Sequence, residues 1–371
     1  MNRISKTLNA ALIERDAEIR ACLLGLIARE HVLLVGPPGT AKSLVARSVA
    51  AAISGSRYCE RLLSGGTPPE VLFGPVSIAG LRADRYEHVG AGSVSECEIA
   101  FLDEFFRGSD MILDTLLHLL GPERQALIGT SQVNVPLVSA VAASNTWPTE
   151  PHQAAVFDRF LIRRTVRAVS PQGREALLYA DLPPVTPVIT LAELHDASVL
   201  AQALAVMPET RTALSQILDE LAGAGIRVSD RRARLSVRVA RASAQLDGAP
   251  AVHPGHLEDL SMVLWSDPES VDKAGEIIAR IANPVGARIN EILRATDDAV
   301  TAAGSDAAGR MKAIKQLEES EREVAKLAAA GAGNGRAKAA ATYIRRERIR
   351  MQALALGIDP AKAEALLGGQ S

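Results

Sequence analysis

Short runs of apolar residues alternate, along the first half of the chain, with longer stretches in which apolar residues recur every three or four positions. The short runs predict buried strands, and the longer stretches predict helices. Strands that alternate with helices in this way favour a parallel sheet covered on both faces. The predicted strands are residues 31–35, 99–104, 138–145 and 161–169, and the helices between them include residues 1–30, 44–53 and 111–120.

The rest of the pattern is helical. From Ser170 to Leu264 the apolar spacing predicts a set of helices, and after Asp267-Pro268 alanine-rich helices follow, with links at residues 297–309 and 331–335. We therefore predict an α/β domain over residues 1–170, a helical domain over residues 171–266 and a helical region over residues 267–371. In the last region, apolar residues at helical spacing predict a helical hairpin or coiled coil: Met311, Ile314, Leu317, Val324 and Leu327.

Two segments interrupt the alternation of strands and helices. Residues 57–97 read as an insertion, with a short helix within residues 67–75 and a small hairpin at residues 85–93. Residues 125–135 alternate around Gly129-Thr130, which predicts a second hairpin.

Composition narrows the class of protein. Aromatic residues make up 3% of the chain and hydrophobic residues 47%, so the cores are built from small and aliphatic side chains. A net charge of −2 gives no global electrostatic case for nucleic acid or membrane binding. Charges at residues 14–20 exclude a signal peptide or membrane span there, and Cys22, Cys59 and Cys97 lack metal-site spacing. We expect a soluble, cytoplasmic protein with buried thiols.

A glycine-rich turn joins the first predicted strand to a helix. Gly36 and Gly39 let backbone N–H groups surround an anion, and the helix N-terminus adds unpaired donors. Lys42 would reach the β- and γ-phosphates of a nucleotide, and Ser43 would bind Mg²⁺. Ala41 stands where the general motif has glycine, and it is acceptable there if its backbone is helical. The expected nucleotide-binding residues are Gly36, Pro37, Pro38, Gly39, Thr40, Ala41, Lys42, Ser43 and Leu44.

Polar residues end the next two predicted strands. Asp103 and Glu104 end one strand and Asn145 ends the other, and ligands of doubly wound sheets bind at this edge. Asp103 would hold Mg²⁺, Glu104 would polarise the attacking water, and Asn145 would bind the γ-phosphate or that water. These residues predict a nucleotide hydrolase.

Arginines open one helix in the second domain. Ser229 is a candidate N-cap, and Arg231 and Arg232 follow it, although basic residues oppose the helix dipole at that end. An arginine kept there to meet a phosphate would explain the placement. A second basic patch, at residues 343–350, has one tyrosine and no aromatic platform, so a solvated helix face is the default.

These motifs together resemble the MoxR family of AAA+ ATPases, and within it the RavA-type branch. The likeness covers roughly residues 5–275. It implies an AAA+ P-loop NTPase domain, an α-helical lid and a ring, usually of six subunits. The motifs that carry it are GPPGTAKS, TPPEVLFGPVSI followed by RYEHVGAGSV, EIAFLDE, ILDTLLHLLGPER, VAASN, AAVFDRFLIR and SDRR.

The resemblance implies a role for each matching position. Lys42 with Ser43 matches Walker A, Asp103 with Glu104 matches Walker B, and Asn145 matches sensor 1. Arg159 matches the arginine finger that acts on a neighbouring subunit, with Arg163 and Arg164 as competitors. On the lid, the resemblance assigns sensor 2 to Arg231, with Arg232 and Arg234 as alternatives. Residues 64–95 and the hairpin near residues 125–136 resemble substrate-facing elements.

The leading hypothesis is a ring-forming, Mg²⁺-dependent ATPase that remodels a partner protein. The family implies a von Willebrand A-type partner, whereas the partly β domain of RavA-type proteins has no counterpart after residue 268. The alternative is a nucleic-acid motor or loader, against which the net charge argues. A nucleotide-gated scaffold with negligible turnover is a third possibility, disfavoured by Glu104.

Overall fold

The computed structural model divides the chain into two compact units, Met1–Gly275 and Glu276–Ser371. It describes residues 1–84, 92–128, 131–304, 307–329, 334–356 and 358. The described strands are β1 (Val32–Val35), β2 (Ile53–Ser54), β3 (Tyr58–Leu62), β4 (Ile99–Asp103), β5 (Gln125–Ile128), β6 (Ser131–Asn134), β7 (Ser139–Ser144), β8 (Ile162–Thr165) and β9 (Ile189–Thr190).

Helices account for most of the remaining described residues. The α-helices are α1 (Asn2–Ala11), α2 (Asp16–Ala28), α3 (Lys42–Ala51), α4 (Pro69–Phe73), α5 (Ile78–Arg82), α6 (Asp110–Leu119), α7 (Gln153–Arg159), α8 (Pro171–Tyr179), α9 (Leu191–Ala203), α10 (Pro208–Gly223), α11 (Asp230–Asp247), α12 (Val271–Ala282), α13 (Pro284–Ala302), α14 (Ala307–Ala329) and α15 (Asn334–Ala355). Short 3₁₀ helices span Phe105–Arg107, Pro254–Met262 and Pro268–Ser270.

A five-stranded parallel sheet forms the centre of the first unit, in the order β3-β4-β7-β1-β8. Strands β1 and β7 are buried at every position, as expected when helices cover both faces. The predicted α/β fold is thereby confirmed. The outer strand β3 was not predicted, because its sequence Tyr-Cys-Glu-Arg-Leu is too polar to stand out from the insertion around it.

The N-terminal segment differs from the prediction of one helix over residues 1–30. It forms α1 and α2, separated by residues 12–15. Glu14 has a left-handed backbone with φ of 52°, and its carboxylate accepts hydrogen bonds from the backbone N–H and the hydroxyl of Ser170. The helix is therefore broken by a long-range contact at the start of α8, and no glycine or proline marks the break.

The helices after Ser170 begin where side chains cap them. Thr190 and Glu193 form a reciprocal capping box at the start of α9, and Ser229 accepts the N–H of Arg232 at the start of α11. Residues 256–264, predicted as an α-helix, lie largely in a 3₁₀ helix. The domain boundaries at residues 170 and 266 stay predictions.

Two cysteines differ from the expectation of three buried thiols. Cys59 and Cys97 form a disulfide between β3 and the residues before β4, with Cα atoms 6.0 Å apart. Cys22 is a buried free thiol whose pKa is raised to about 12 by burial. Cysteine content therefore no longer supports a reducing compartment.

The second unit is helical, as predicted. Helices α13, α14 and α15 bury a common apolar set that includes Ile289, Leu317 and Ile344. Helix α13 continues to Ala302, so it occupies part of the segment predicted as a link at residues 297–309. Within the described ranges no helix is long and apolar enough to cross a membrane.

The two predicted hairpins have different outcomes. Strands β5 and β6 pair antiparallel, as predicted for residues 125–135, although the turn residues 129–130 lie outside the described part of the chain. Of the hairpin predicted at residues 85–93, residues 85–91 also lie outside it.

Candidate functional site

The glycine-rich loop runs from the end of β1 to the start of α3. The N–H of Gly36 donates to Ser144 O at 3.0 Å, which anchors the loop to β7. A Cβ at Gly36 would lie 2.2 Å from Val166 O, so only glycine fits there. Gly39 has φ of +77°, and the Thr40 hydroxyl donates to Pro37 O at 2.8 Å. The backbone is thus already turned into a phosphate-binding shape.

Ala41 does not have the helical backbone that the sequence interpretation required. Its φ and ψ are 66° and 21°, in the left-handed region that favours glycine. The glycine of the general motif would take this conformation without steric cost, whereas Ala41 carries strain at the first turn of α3.

Lys42 is buried and turned toward the loop. Its Nζ donates to Gly36 O at 2.6 Å, to Pro37 O at 2.9 Å and to Oδ1 of Asn145 at 3.1 Å. Burial lowers the pKa of Lys42, while Asp103 and Glu104 act in the opposite direction. The ammonium group therefore stands between the phosphate loop and the acidic end of β4.

Asp103, Glu104 and Asn145 come together as predicted from their strand ends. Asn145 Nδ2 donates to Glu104 Oε1 at 2.7 Å, and Lys42 donates to the opposite side of the same amide. Glu104 has a left-handed backbone with φ of 51°, and its N–H donates to Asp103 Oδ1 at 2.9 Å. Sequence reasoning missed Arg107, whose Nε lies 3.6 Å from Glu104 Oε2.

The donor set at this sheet edge suits a magnesium ion. The Asp103 carboxylate and the Ser43 hydroxyl are hard oxygen ligands, and Mg²⁺ binds few such ligands beside phosphates and water. Burial raises the pKa of Asp103, and a bound cation would act in the opposite direction by favouring the ionised carboxylate. The residues present therefore fit Mg²⁺.

The arginines predicted near residue 159 differ sharply in their surroundings. Arg163 is 2% exposed; it donates to the carbonyl oxygens of Phe157, Phe160 and Trp265, and its guanidinium lies 3.6 Å from the Phe157 ring centre. Arg164 lies on β8 and its Nε is 3.7 Å from a carboxylate oxygen of Glu18. Arg159, at the end of α7, is half-buried.

Two arginines of α11 also differ in burial, one being buried and the other exposed. Arg232 is fully buried and donates to the carbonyl oxygens of Phe160, Leu161 and Val263. Arg231 is exposed and donates to Asp158 Oδ2 at 2.9 Å. Since α7 leads into the start of β8, Arg231 lies at the edge where the strands begin, opposite the edge that carries Lys42. Asp158, next to Arg159, is a residue that sequence reasoning missed.

Family comparisons agree with this geometry. The family model described as the MoxR domain in MoxR-vWA-beta-propeller ternary systems matches residues 1–184, and an AAA lid domain model matches residues 205–278. The chain belongs to the MoxR family of AAA+ ATPases. The resemblance to this family is confirmed, and the RavA-type branch stays a prediction.

Relatives of this MoxR-family chain include two uncharacterised proteins of Methanocaldococcus jannaschii. MJ0812 is 34% identical over 76% of each chain, and MJ0079 is 33% identical over 76% of this chain and 74% of its own. The chaperone MoxR1 of Mycobacterium tuberculosis is 25% identical over 45% of this chain and 44% of its own.

A solved structure supports the fold of this MoxR-family chain. A protein of Cytophaga hutchinsonii, named as a candidate ATPase, superposes with a TM-score of 0.61 and 17% identity, covering 75% of this chain and 92% of its own. At this identity the match concerns the fold alone.

Proposed function

We propose that this protein hydrolyses ATP with Mg²⁺ and uses the energy to remodel a partner protein. The observation that carries the proposal is the hydrogen-bonded line from Lys42 through Asn145 to Glu104. It joins the phosphate loop to the carboxylate that would position water, at the sheet edge where ligands of this fold class bind. Each member has a chemical task in phosphoryl transfer.

The residues divide the work as follows. The loop N–H groups and Lys42 hold the β- and γ-phosphates, and Glu104 accepts a proton from the attacking water while Asn145 orients both. Ser43 and Asp103 would hold Mg²⁺, which would neutralise charge on the phosphate oxygens. Lys42 exchanges its loop carbonyl partners for phosphate oxygens when nucleotide binds, since those carbonyls are weaker acceptors.

Arginines of a second subunit complete the site in this proposal. Arg163 and Arg232 are buried and donate to carbonyl oxygens of their own chain, which favours Arg159 as finger and Arg231 as sensor 2. Both lie at the edge opposite the phosphate loop of the same chain, so they would act on a neighbour's nucleotide. A head-to-tail contact of this kind closes into a ring, and we propose six subunits from the family resemblance.

The family supports a proposal for the partner. The matching MoxR model is described for systems that contain a von Willebrand A-domain protein, so we propose such a protein as partner and a chaperone-like role. The chaperone MoxR1 is a distant relative. We propose the cytoplasm as the location because the reaction needs a supply of ATP.

The test compares ATP binding and the rate of ATP hydrolysis of the Glu104→Gln variant with those of the parent protein. The variant should bind ATP with the affinity of the parent and turn it over about 100-fold more slowly or worse, because the amide cannot accept a proton. Glu175→Gln, which changes an exposed carboxylate on α8, is the matched control and should match the parent. Near-normal turnover by Glu104→Gln would refute the assignment, and stimulation by DNA alone would favour a nucleic-acid motor.

A further inference from the structure

Strands β4 and β7 lie side by side in the sheet, and their chains diverge where the strands end. After Glu104 the chain enters the 3₁₀ helix Phe105–Arg107, and after Asn145 it runs through an irregular segment to α7. The Glu104–Asn145 hydrogen bond of 2.7 Å therefore joins two segments that no longer pair through their backbones. A contact beyond the sheet is needed to keep both side chains in place.

Gln153, the first residue of α7, makes such a contact. Its side-chain Oε1 accepts the backbone N–H groups of Thr149 and Glu150 at 3.2 and 3.4 Å, and its Nε2 donates to Phe106 O at 3.1 Å. Two donors face one end of the amide and a carbonyl faces the other end, so the orientation of the amide is determined. Gln153 is 7% exposed, and its loss would leave buried backbone groups of both segments without a partner.

Phe157 lies one turn further along the same face of α7 and contacts the same two segments. Its ring centre lies 6.4 Å from that of Phe106 and 6.1 Å from that of Trp147, within the range of aromatic pairs. Phe106 is two residues after Glu104, and Trp147 is two residues after Asn145. One face of α7 thus contacts both segments twice, first through a polar group and then through a ring.

We propose that Gln153 is a positioning residue for ATP hydrolysis, which sets Glu104 against Asn145 through Phe106. This inference rests on the proposed function. The amide of Gln153 fixes the segment after Glu104, so the carboxylate keeps the direction from which it would accept a proton of the attacking water. Misplacement of a reacting group by about 1 Å can lower a rate about 100-fold, so loss of this contact costs turnover rather than ATP binding.

The alternative role of Gln153 is to hold the start of α7 alone. That role needs only the acceptor Oε1, whereas positioning also needs the donor Nε2. Gln153→Glu separates the two roles, because an ionised carboxylate keeps the acceptor and loses the donor. Gln153→Met has a side chain of similar length and loses both.

The test measures kcat for ATP hydrolysis and the dissociation constant of ATP for both variants. We expect each variant to hydrolyse ATP at least about tenfold more slowly than the parent and to bind it with unchanged affinity. Gln216→Glu, which changes an exposed glutamine on α10, is the matched control and should match the parent. In the Glu104→Gln background, Gln153→Glu should cause no further loss, because its effect passes through Glu104. Thermal melting checks that each variant is folded.

Three results would overturn the proposal. They are parental turnover by both variants, loss of turnover by one variant alone, or a loss of ATP affinity as large as the loss of turnover. If the parent hydrolyses ATP and the two variants do so equally well, only this inference fails. If the parent itself hydrolyses no ATP, the proposed function fails and the inference fails with it.

Discussion

Two residues at the candidate site hold a left-handed backbone without being glycine. Ala41 precedes Lys42 with φ of 66°, and Glu104 follows Asp103 with φ of 51°. Such conformations cost about 1–3 kcal/mol each and persist where surrounding structure enforces them. For Glu104 the conformation turns the carboxylate toward the Asn145 amide, so strain and function coincide there. The side chain of Ala41 is a methyl group, which cannot offset the strain with a hydrogen bond.

Ala41→Gly should therefore stabilise the first unit. Glycine adopts the left-handed conformation freely, and we expect about 1 kcal/mol of added stability after its greater unfolded-state entropy is counted. Denaturant unfolding measures the change. Ala213→Gly, within α10, is the matched control and should lose about 1 kcal/mol, since there glycine only weakens a helix. Equal losses from both variants would show that Ala41 is not strained.

The sequence was sufficient to predict the site residues that lie at or just after the ends of strands. Lys42, Asp103, Glu104 and Asn145 meet because each follows the carboxyl end of a parallel strand, and the order of apolar runs reveals those ends. The backbone of Ala41 could not be predicted in the same way, because its angles depend on how the loop is held between β1 and α3.

Helix α11 is fixed to the sheet domain by a buried arginine. Arg232 donates to Leu161 O at 2.9 Å, Val263 O at 3.0 Å and Phe160 O at 3.2 Å, and lies 3.3 Å from a carboxylate oxygen of Asp158. One side chain thus ties the start of α11 to the segment that joins α7 and β8. The same connection places Arg231 against Asp158, the residue that precedes Arg159.

Replacing Arg232 should destabilise the packing of α11 against the sheet domain. We expect Arg232→Ala to cost about 3–5 kcal/mol, because three buried carbonyl oxygens lose their donor and Asp158 loses a partner. Arg227→Ala, an exposed arginine just before α11, should change stability by less than about 0.5 kcal/mol. Urea unfolding of both variants measures the difference. A cost for Arg232→Ala as small as that of Arg227→Ala would contradict the structural role.

Helices and strands were predicted well where the spacing of apolar residues is regular. They were predicted poorly where the sequence is polar or where a contact distant in sequence determines the boundary of an element. Strand β3 pairs with β4 alone and has polar residues such as Glu60, which pairs with Arg47 at 3.1 Å. An outer strand needs less burial, so its sequence resembles a loop. The break between α1 and α2 depends on Ser170, which no local pattern near Glu14 indicates.

At the scale of the whole molecule, the candidate residues lie at two opposite edges of one sheet. Lys42, Asp103 and Asn145 lie where strands end, while Arg159 and Arg231 lie near where strands begin. If both sets act on one nucleotide, as we propose, a second chain has to supply one of them. The second unit, with its own apolar core, contains none of the candidate residues.

Mixing two inactive variants tests whether sites are shared between chains. Arg159→Ala keeps its own phosphate loop and lacks the finger, whereas Lys42→Ala lacks the loop and keeps the finger. In rings of equal proportions, about one interface in four joins an intact loop to an intact finger, because each contact is head-to-tail. We expect ATPase activity to return to about a quarter of the parent value, measured as phosphate release.

A second mixture makes the result specific. Lys42→Ala and Glu104→Gln both damage the edge that carries the phosphate loop, so no interface in their mixture contains a complete site. This mixture should stay inactive while the first recovers, provided that in each mixture an affinity tag on one variant also recovers the untagged variant, which shows that mixed rings form. Recovery in neither mixture would mean that Arg159 does not act on the nucleotide of a neighbouring chain. Recovery in both would mean that Lys42 of one chain and Glu104 of another can serve the same site. The assignment of phosphate-loop residues to one sheet edge and of arginines to the other would then be wrong.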